Sequence, residues 1–255
     1  MNREQRDQAL FDRIAGRYAR KDSLVSSATA RREKLLFALA PLLEKSKDLG
    51  TMVDVGCGAG GPATYLRGRY QRYIGIDYSR ELIAIARHLH RDNSRAEFIA
   101  GNIKEQDLPA RVADLVLCDG ALHHMTDLDL VLKALAGIAK PGAFIVTIEP
   151  QGSNPFIAGM RRLRGLLDRS YSQDQVSFSQ ADLQVLFSQI GITGLLFRFQ
   201  GFFSTPFAEV PLSPQALFAP LGRLAGAMDR GLQERMPTLM RRLAFNIVAS
   251  GRFPA

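Results

Sequence analysis

Cysteine is scarce in this chain, and long apolar runs are missing from it. Only Cys57 and Cys118 occur in 255 residues. Neither stands in a metal-ligand or Cys-x-x-Cys spacing, which speaks against a zinc site, a redox motif and a disulfide framework. No metal is expected. No stretch reaches the roughly eighteen consecutive apolar residues of a membrane-spanning helix. The opening Asn2-Arg3-Glu4-Gln5-Arg6-Asp7 is charged and lacks the apolar core of a secretory signal. A reducing, cytoplasmic location is therefore expected. Internal repeats and low-complexity segments do not stand out.

What is present is ordinary in amount and uneven in placement. Apolar residues make up 46% and charged ones 23%, the balance of a globular domain with room for a substantial core. The net charge is +8. Residues 1–40 carry nine Lys/Arg and five Asp/Glu; residues 41–150 carry thirteen and fourteen; residues 151–255 carry eleven and six. The middle is neutral and the flanks are basic. Basic flanks suit an anionic substrate or an anionic membrane surface, and a plain solvated surface accounts for them equally well.

The chain is organised around Val53-Asp54-Val55-Gly56-Cys57-Gly58-Ala59-Gly60-Gly61. An apolar strand that stops in glycines and runs on into a helix brings bare backbone to a ligand, with helix N–H groups facing it. Before it, residues 4–40 read as helical, with a second helix over about 27–43. After it, short apolar segments at 73–76, 97–100, 113–118 and 143–149 alternate with helices at 63–68, 80–90 and 128–139, the pattern of a parallel sheet. Lys140-Pro141-Gly142 reads as a turn. Beyond Pro150 a basic helix is expected over 156–169, bearing Arg161, Arg162, Arg164 and Arg169. A helix begins at Ser179 with a capping box. Strands follow at 193–199 and 245–250, separated by an apolar, proline-broken segment at 202–242.

Gly56-x-Gly58-x-x-Gly61, with Asp77 placed 21 residues after Gly56, matches a dinucleotide fingerprint. The pattern alone does not separate a nicotinamide cofactor from another adenosine-bearing one. Asp54, two residues before the turn, would repel a pyrophosphate and favour a cationic amino acid end. Gly101-Asn102-Ile103 follows the third strand, where a polar side chain can meet adenine. Asp119-Gly120-Ala121-Leu122-His123-His124 closes the fourth strand opposite the turn.

The glycine turn, Gly75-Ile76-Asp77-Tyr78-Ser79, Leu122-His123-His124 and Lys140-Pro141-Gly142, in this order and spacing, resemble the successive motifs of class I S-adenosylmethionine-dependent methyltransferases. The resemblance covers about residues 50–150. It implies a Rossmann-like α/β fold with a seven-stranded mixed sheet in the order 3-2-1-4-5-7-6. It assigns S-adenosyl-L-methionine contacts to Asp54, Gly56, Cys57, Gly58, Gly60, Asp77, Tyr78, Asn102, Ile103 and Asp119. Many relatives carry Asp where this chain has Asn102. Phe11-Asp12-Arg13-Ile14-Ala15-Gly16-Arg17-Tyr18 is similar to the cofactor lid of small-molecule methyltransferases, including those acting on quinone precursors. Residues 1–45 are thus expected as a helical lid on a 46–255 catalytic domain.

His123, His124 and Tyr18 are the candidate catalytic or positioning groups, histidine because it titrates near neutrality. The family also uses the histidine pair structurally. Glu149, at the end of strand five, either faces the acceptor or caps the sheet. Phe202, Phe203, Phe207, Leu212, Leu217, Phe218 and Leu221 are expected to shape a pocket for a hydrophobic or amphipathic small-molecule acceptor, lipid-like or anionic. Peripheral membrane contact is compatible with this, as is a monomer or a homodimer. Nucleic acid is the competing acceptor, prompted by the basic charge, but no separate nucleic-acid module is visible. A nicotinamide oxidoreductase and a cofactor-binding protein without catalysis are the remaining alternatives.

Overall fold

The computed structural model describes residues 2–106, 108–152, 154 and 176–255. Its centre is one seven-stranded sheet. The strands are β1 (Thr51–Val55), β2 (Arg72–Asp77), β3 (Ala96–Ala100), β4 (Ala113–Asp119), β5 (Ala139–Pro150), β6 (Thr193–Gln200) and β7 (Asn246–Arg252). Their order is β3-β2-β1-β4-β5-β7-β6, as the motifs imply. β1 to β5 pair in parallel, and β7 runs antiparallel between β5 and β6. The central strands are apolar on both sides because both faces are covered. Val53 and Val55 enter a core with Val116, Ile145, Leu135 and Phe187. Met52 enters the opposite one with Leu35, Leu39, Leu66 and Leu117. The parallel strands end at one edge, and β1 and β4 flank the point where the strand order reverses, the place where such sheets bind ligands.

The helices at that edge have sequence-encoded starts. Helix α1 (Arg3–Ser23) opens with a capping box between Asn2 and Gln5. Leu24 interrupts it before α2 (Val25–Leu43). These two helices do different work. α2 buries Leu35, Leu39 and Leu42 against the sheet, whereas Phe11 and Tyr18 of α1 pack over Ala59 of the glycine turn and Leu82. Helix α3 (Gly61–Tyr65) has only five residues, shorter than the expected 63–68, so little dipole stands behind the turn. α4 (Arg80–Leu89) is N-capped by Ser79. A short 3₁₀ turn (Leu122–His124) leads to α5 (Leu128–Ile138). α6 (Gln180–Gln189) carries the expected capping box between Ser179 and Asp182.

Two readings of the sequence change. Lys140-Pro141-Gly142 is no turn but part of β5. There the register jumps from Ala113↔Ala139 to Leu115↔Phe144, so the extra residues form a bulge fastened by Lys140 to Asp114 at 2.7 Å. Residues 202–242 are largely helical despite their prolines: α7 (Thr205–Glu209), α8 (Gln215–Arg235) and α9 (Pro237–Leu243). Pro206 and Pro237 sit in first turns, where the missing N–H is harmless. The expected helix 156–169 and its arginines lie outside the described residues.

Candidate active site

A cavity of about 670 Å³ opens at the C-terminal edge of β1, β2 and β4. Of the residues singled out from the sequence, Tyr18, Gly56, Gly58, Asp77, Tyr78, Asn102, Ile103, Asp119, His123 and His124 line it. The floor is the glycine turn. Gly56 has φ +80° and Gly58 φ +55°, the left-handed region where a side chain is strained. A Cβ on Gly56 would stand 2.4 Å from the Ala121 methyl, and one on Gly58 would stand 3.3 Å from the Tyr18 ring. Close approach of backbone, ring and loop therefore requires both glycines.

Asp54, Cys57 and Gly60 are not among the lining residues. Period-two alternation turns Asp54 to the face opposite Val53 and Val55. There it is fully buried and accepts a hydrogen bond from the Tyr73 hydroxyl, while its Oδ1 has no partner. Burial, with Asp119 and Asp77 nearby, pushes its carboxyl up to about 8. The Cys57 thiol is buried under Gly75, and burial first, then Asp77 and Asp54, raise it far above its usual range. Gly60 faces Phe98 and His90, where a Cβ would stand 2.8 and 2.9 Å away. His90 meets the Gly60 carbonyl at 3.0 Å and staples the turn to α4.

Asp77 joins the turn to β2. Its Oδ2 accepts the Gly58 N–H and its Oδ1 the Ser79 N–H, both at 2.9 Å. At the other end of the cavity, Lys34 of α2 meets Asp119 of β4 at 2.6 Å. Lys21 pairs with Glu209 at 3.1 Å, and Arg31 with Asp22 at 2.9 Å. Arg31 also lies 5.5 Å from the Tyr18 ring centre. Burial raises the Tyr18 hydroxyl to about 12, so it is a neutral donor at physiological pH.

Helix α1 is latched over this edge. Glu4 accepts from Lys104, Asn102 and the Thr126 N–H at 2.8–3.0 Å. Gln8 donates to the Tyr78 carbonyl, and Asp12 accepts from the Ser79 hydroxyl. Asp7 meets His124 Nδ1 at 3.2 Å. Asn102 therefore spends its amide N–H on the lid, and its Oδ1 accepts the Lys104 N–H at 3.1 Å.

The two histidines differ. His123 Nδ1 lies 2.7 Å from Glu149 Oε2. Glu149 is fully buried and also accepts the Leu122 N–H, the Ala121 N–H and the Thr147 hydroxyl at 2.9–3.3 Å. It thus caps the 3₁₀ turn and orients His123 at once, and being no lining residue it does not itself face the cavity. Burial lifts its carboxyl to about 7. His124 is held down to about 4, by burial first and by His123 second, so it is a neutral and weak base.

The family comparison agrees with this frame. The model described as "Methyltransferase domain" matches residues 53–147, from the glycine turn to β5. The chain is 29% identical over 167 residues to a demethylmenaquinone methyltransferase of Bacillus licheniformis, covering 64% of this chain and 69% of that one. It is 33% identical over 99 residues to a ubiquinone biosynthesis O-methyltransferase of a Bradyrhizobium strain, of which it spans 38%. The fold is similar to that of a methyltransferase structure from Thermotoga maritima, with a TM-score of 0.64, 17% identity and coverage of 96% and 99%. The chain carries a methyltransferase domain over residues 53–147 and has the fold of class I S-adenosylmethionine-dependent methyltransferases.

In this methyltransferase, sequence reading missed Lys34, Lys21, Arg31 and Glu209 as neighbours of the site and left the role of Glu149 open. Only Glu149 carried a signal, its place at a strand end. Lys34 and Arg31 sit in a helix read by its apolar face, and Glu209 in a segment read for its aromatics. That segment supplies Thr205, Pro206, Glu209, Val210 and Pro211 to the cavity. The expected Phe202, Phe203, Phe207, Leu212, Leu217, Phe218 and Leu221 are not lining residues. Phe202 stacks on Phe203 and Phe245, Phe207 lies beside Gly222, and Leu217 and Leu221 face outward. Among the described residues, no cluster of metal-ligating side chains occurs, and no helix is long and apolar enough to cross a membrane.

Proposed function

We propose that the enzyme methylates a ring hydroxyl or acidic ring carbon of a small apolar or amphipathic acceptor, with His123 taking the proton. The observation that carries this reading is the His123–Glu149 pair, 2.7 Å apart, beside the cavity that Asp77 and the glycine turn also line. The residues fit the methyl donor. Asp77 holds both carboxylate oxygens at the end of β2, with lone pairs left for ribose hydroxyls. Lys34 and Asp119 present one positive and one negative group side by side, the complement of an amino acid end that bears both charges. Asn102 and Ile103 stand where adenine would lie, and Glu4 must yield some of its hold on Asn102. S-adenosylmethionine supplies an activated methyl group, so no metal is needed to draw electrons from the leaving sulfur.

The chain's own contribution is alignment, exclusion of water and proton movement. The His123 ring lines the cavity with its Nδ1 held by Glu149, and in this reading it takes the proton from the acceptor. Glu149 stabilises the charged ring that results. Helix α1 closes the cavity and holds Tyr18 against Gly58. Alignment of this kind contributes roughly 7–11 kcal/mol in favourable cases. Leu10, Ile14, Met125, Val210 and Pro211 on the walls favour an apolar ring over a polar metabolite. The named activities of the similar proteins, on menaquinone and ubiquinone precursors, point to a quinone-type ring. The test is transfer of isotopically labelled methyl from S-adenosylmethionine to a demethylated quinol. His123→Asn should lower kcat by roughly 10²–10⁴-fold with cofactor affinity unchanged. Unchanged kcat would refute the base assignment, and labelling of polar acceptors alone would refute the acceptor class.

A further inference from the structure

Helix α8 turns an unusual face to solvent. Its buried side is made of small residues, Gly222, Ala225 and Gly226, and it packs on α2. On the outer side stand Leu217, Leu221, Leu224 and Met228, each 41–57% exposed. Their spacing of four, three and four places them in one stripe along the helix. Single exposed leucines need no explanation, whereas a continuous stripe marks a contact surface. The exposed charges of α8 are mostly basic, three arginines against Glu234, with Arg230 paired to Glu33 of α2 at 3.0 Å. Arg235, seven residues beyond Met228, continues the line of the stripe by nearly two turns, and Arg223 and Arg230 stand further round the exposed side. Asp229, one of two acids in α8, is buried and spent on the Phe202, Phe203 and Ser204 N–H groups. Glu234 is the other, and α9 adds Arg241 and Arg242 without an acid.

An apolar stripe on a helix whose exposed charges are mostly arginine suits a membrane interface, with apolar side chains among acyl chains and guanidinium groups reaching the phosphates. We infer that the outer face of α8 docks on an anionic lipid bilayer. The same charges disfavour a second copy there, since a self-complementary contact would bring like arginines together. Position gives the docking a purpose that rests on the apolar-acceptor reading. Val210 and Pro211 line the cavity, and the chain runs from them through three residues into α8. A bilayer under α8 would thus be linked by a three-residue connection to the cavity wall.

Flotation of the full chain with vesicles tests this without turnover, so its failure is separate from failure of the methyl-transfer reading. Vesicles of equal phosphatidylglycerol and phosphatidylcholine should carry the protein, and pure phosphatidylcholine should not. Leu221→Asp with Leu224→Asp should weaken binding roughly tenfold or more, with turnover of a short, water-soluble acceptor unchanged. Arg223→Glu with Arg235→Glu keeps the stripe and should weaken binding by a similar factor. Both variants should keep the wild-type cofactor affinity, which reports folding. Equal binding to both vesicle types, or full retention by either folded variant, would overturn the inference. So would a concentration-dependent dimer, broken by the leucine variant, in a protein that ignores vesicles.

Discussion

At the scale of single residues, the site separates groups that one sequence motif runs together. His123 and His124 are neighbours in the chain, yet one is tied to a buried carboxylate and the other is suppressed by burial and by its neighbour. Glu149→Gln keeps the shape and the N–H acceptor oxygen but removes the charge that steadies a protonated His123. It should lower kcat roughly 10²-fold or more and leave the KM for S-adenosylmethionine within a few-fold, as steady-state kinetics would show. The reverse split would make Glu149 a structural cap alone. Asp77→Ala strips the acceptor from the Gly58 and Ser79 N–H groups. Calorimetry should find S-adenosylhomocysteine binding abolished, and circular dichroism should find the fold intact. Unchanged affinity would contradict the ribose role. Asp77 was legible because a strand end and a glycine turn fix its place. Lys34 was not, because nothing in a helix sequence says which strand end its exposed side meets.

Among the elements, α1 and α8 carry the functional differences within a common sheet. α1 is held by Glu4, Gln8, Asp12 and Asp7 to the ends of β2, β3 and β4. Lys104→Ala removes the Glu4 ion pair at 2.9 Å and should speed cofactor release several-fold in stopped-flow chases. An unchanged release rate would mean that α1 does not gate the site. Asp229 fixes α8 to the loop after β6 through backbone N–H groups and the Ser204 hydroxyl at 2.6–3.1 Å. Asp229→Ala leaves those buried donors without an acceptor and should cost about 3 kcal/mol, read as a shifted urea midpoint. The alternating strands and helices were legible because their periods and glycine boundaries are local. The 202–242 segment was read by hydrophobicity, and its aromatics were assigned to the acceptor. They pack on one another instead, because the small face of α8 lets the helix sit close on α2 and turns the leucines out.

Over the whole molecule, the central feature is a group of buried acids in a protein of net charge +8. Asp54, raised to about 8 from an ordinary 3.8, favours the fold in its neutral form. Its contribution is complete below the unfolded value and is lost as pH rises through the folded one. His124 works the other way, contributing above 6.5 and losing that contribution as pH falls towards about 4. Asp54→Asn should therefore flatten the loss of stability between about pH 4 and 8. Urea midpoints across that range check it, and an unchanged slope would refute it. A cationic cofactor opposes the same repulsion, so the thermal stabilisation by S-adenosylmethionine should grow towards about pH 8. The sheet order was legible only through the family resemblance that the motifs carry, whereas the acceptor is set by walls drawn from distant parts of the chain. The most direct test of the account is kcat/KM for one demethylated quinol with and without an isoprenoid tail, presented in detergent. The tailed acceptor should be preferred by roughly tenfold or more. Equal values, or preference for the bare ring, would contradict an apolar acceptor held by these walls.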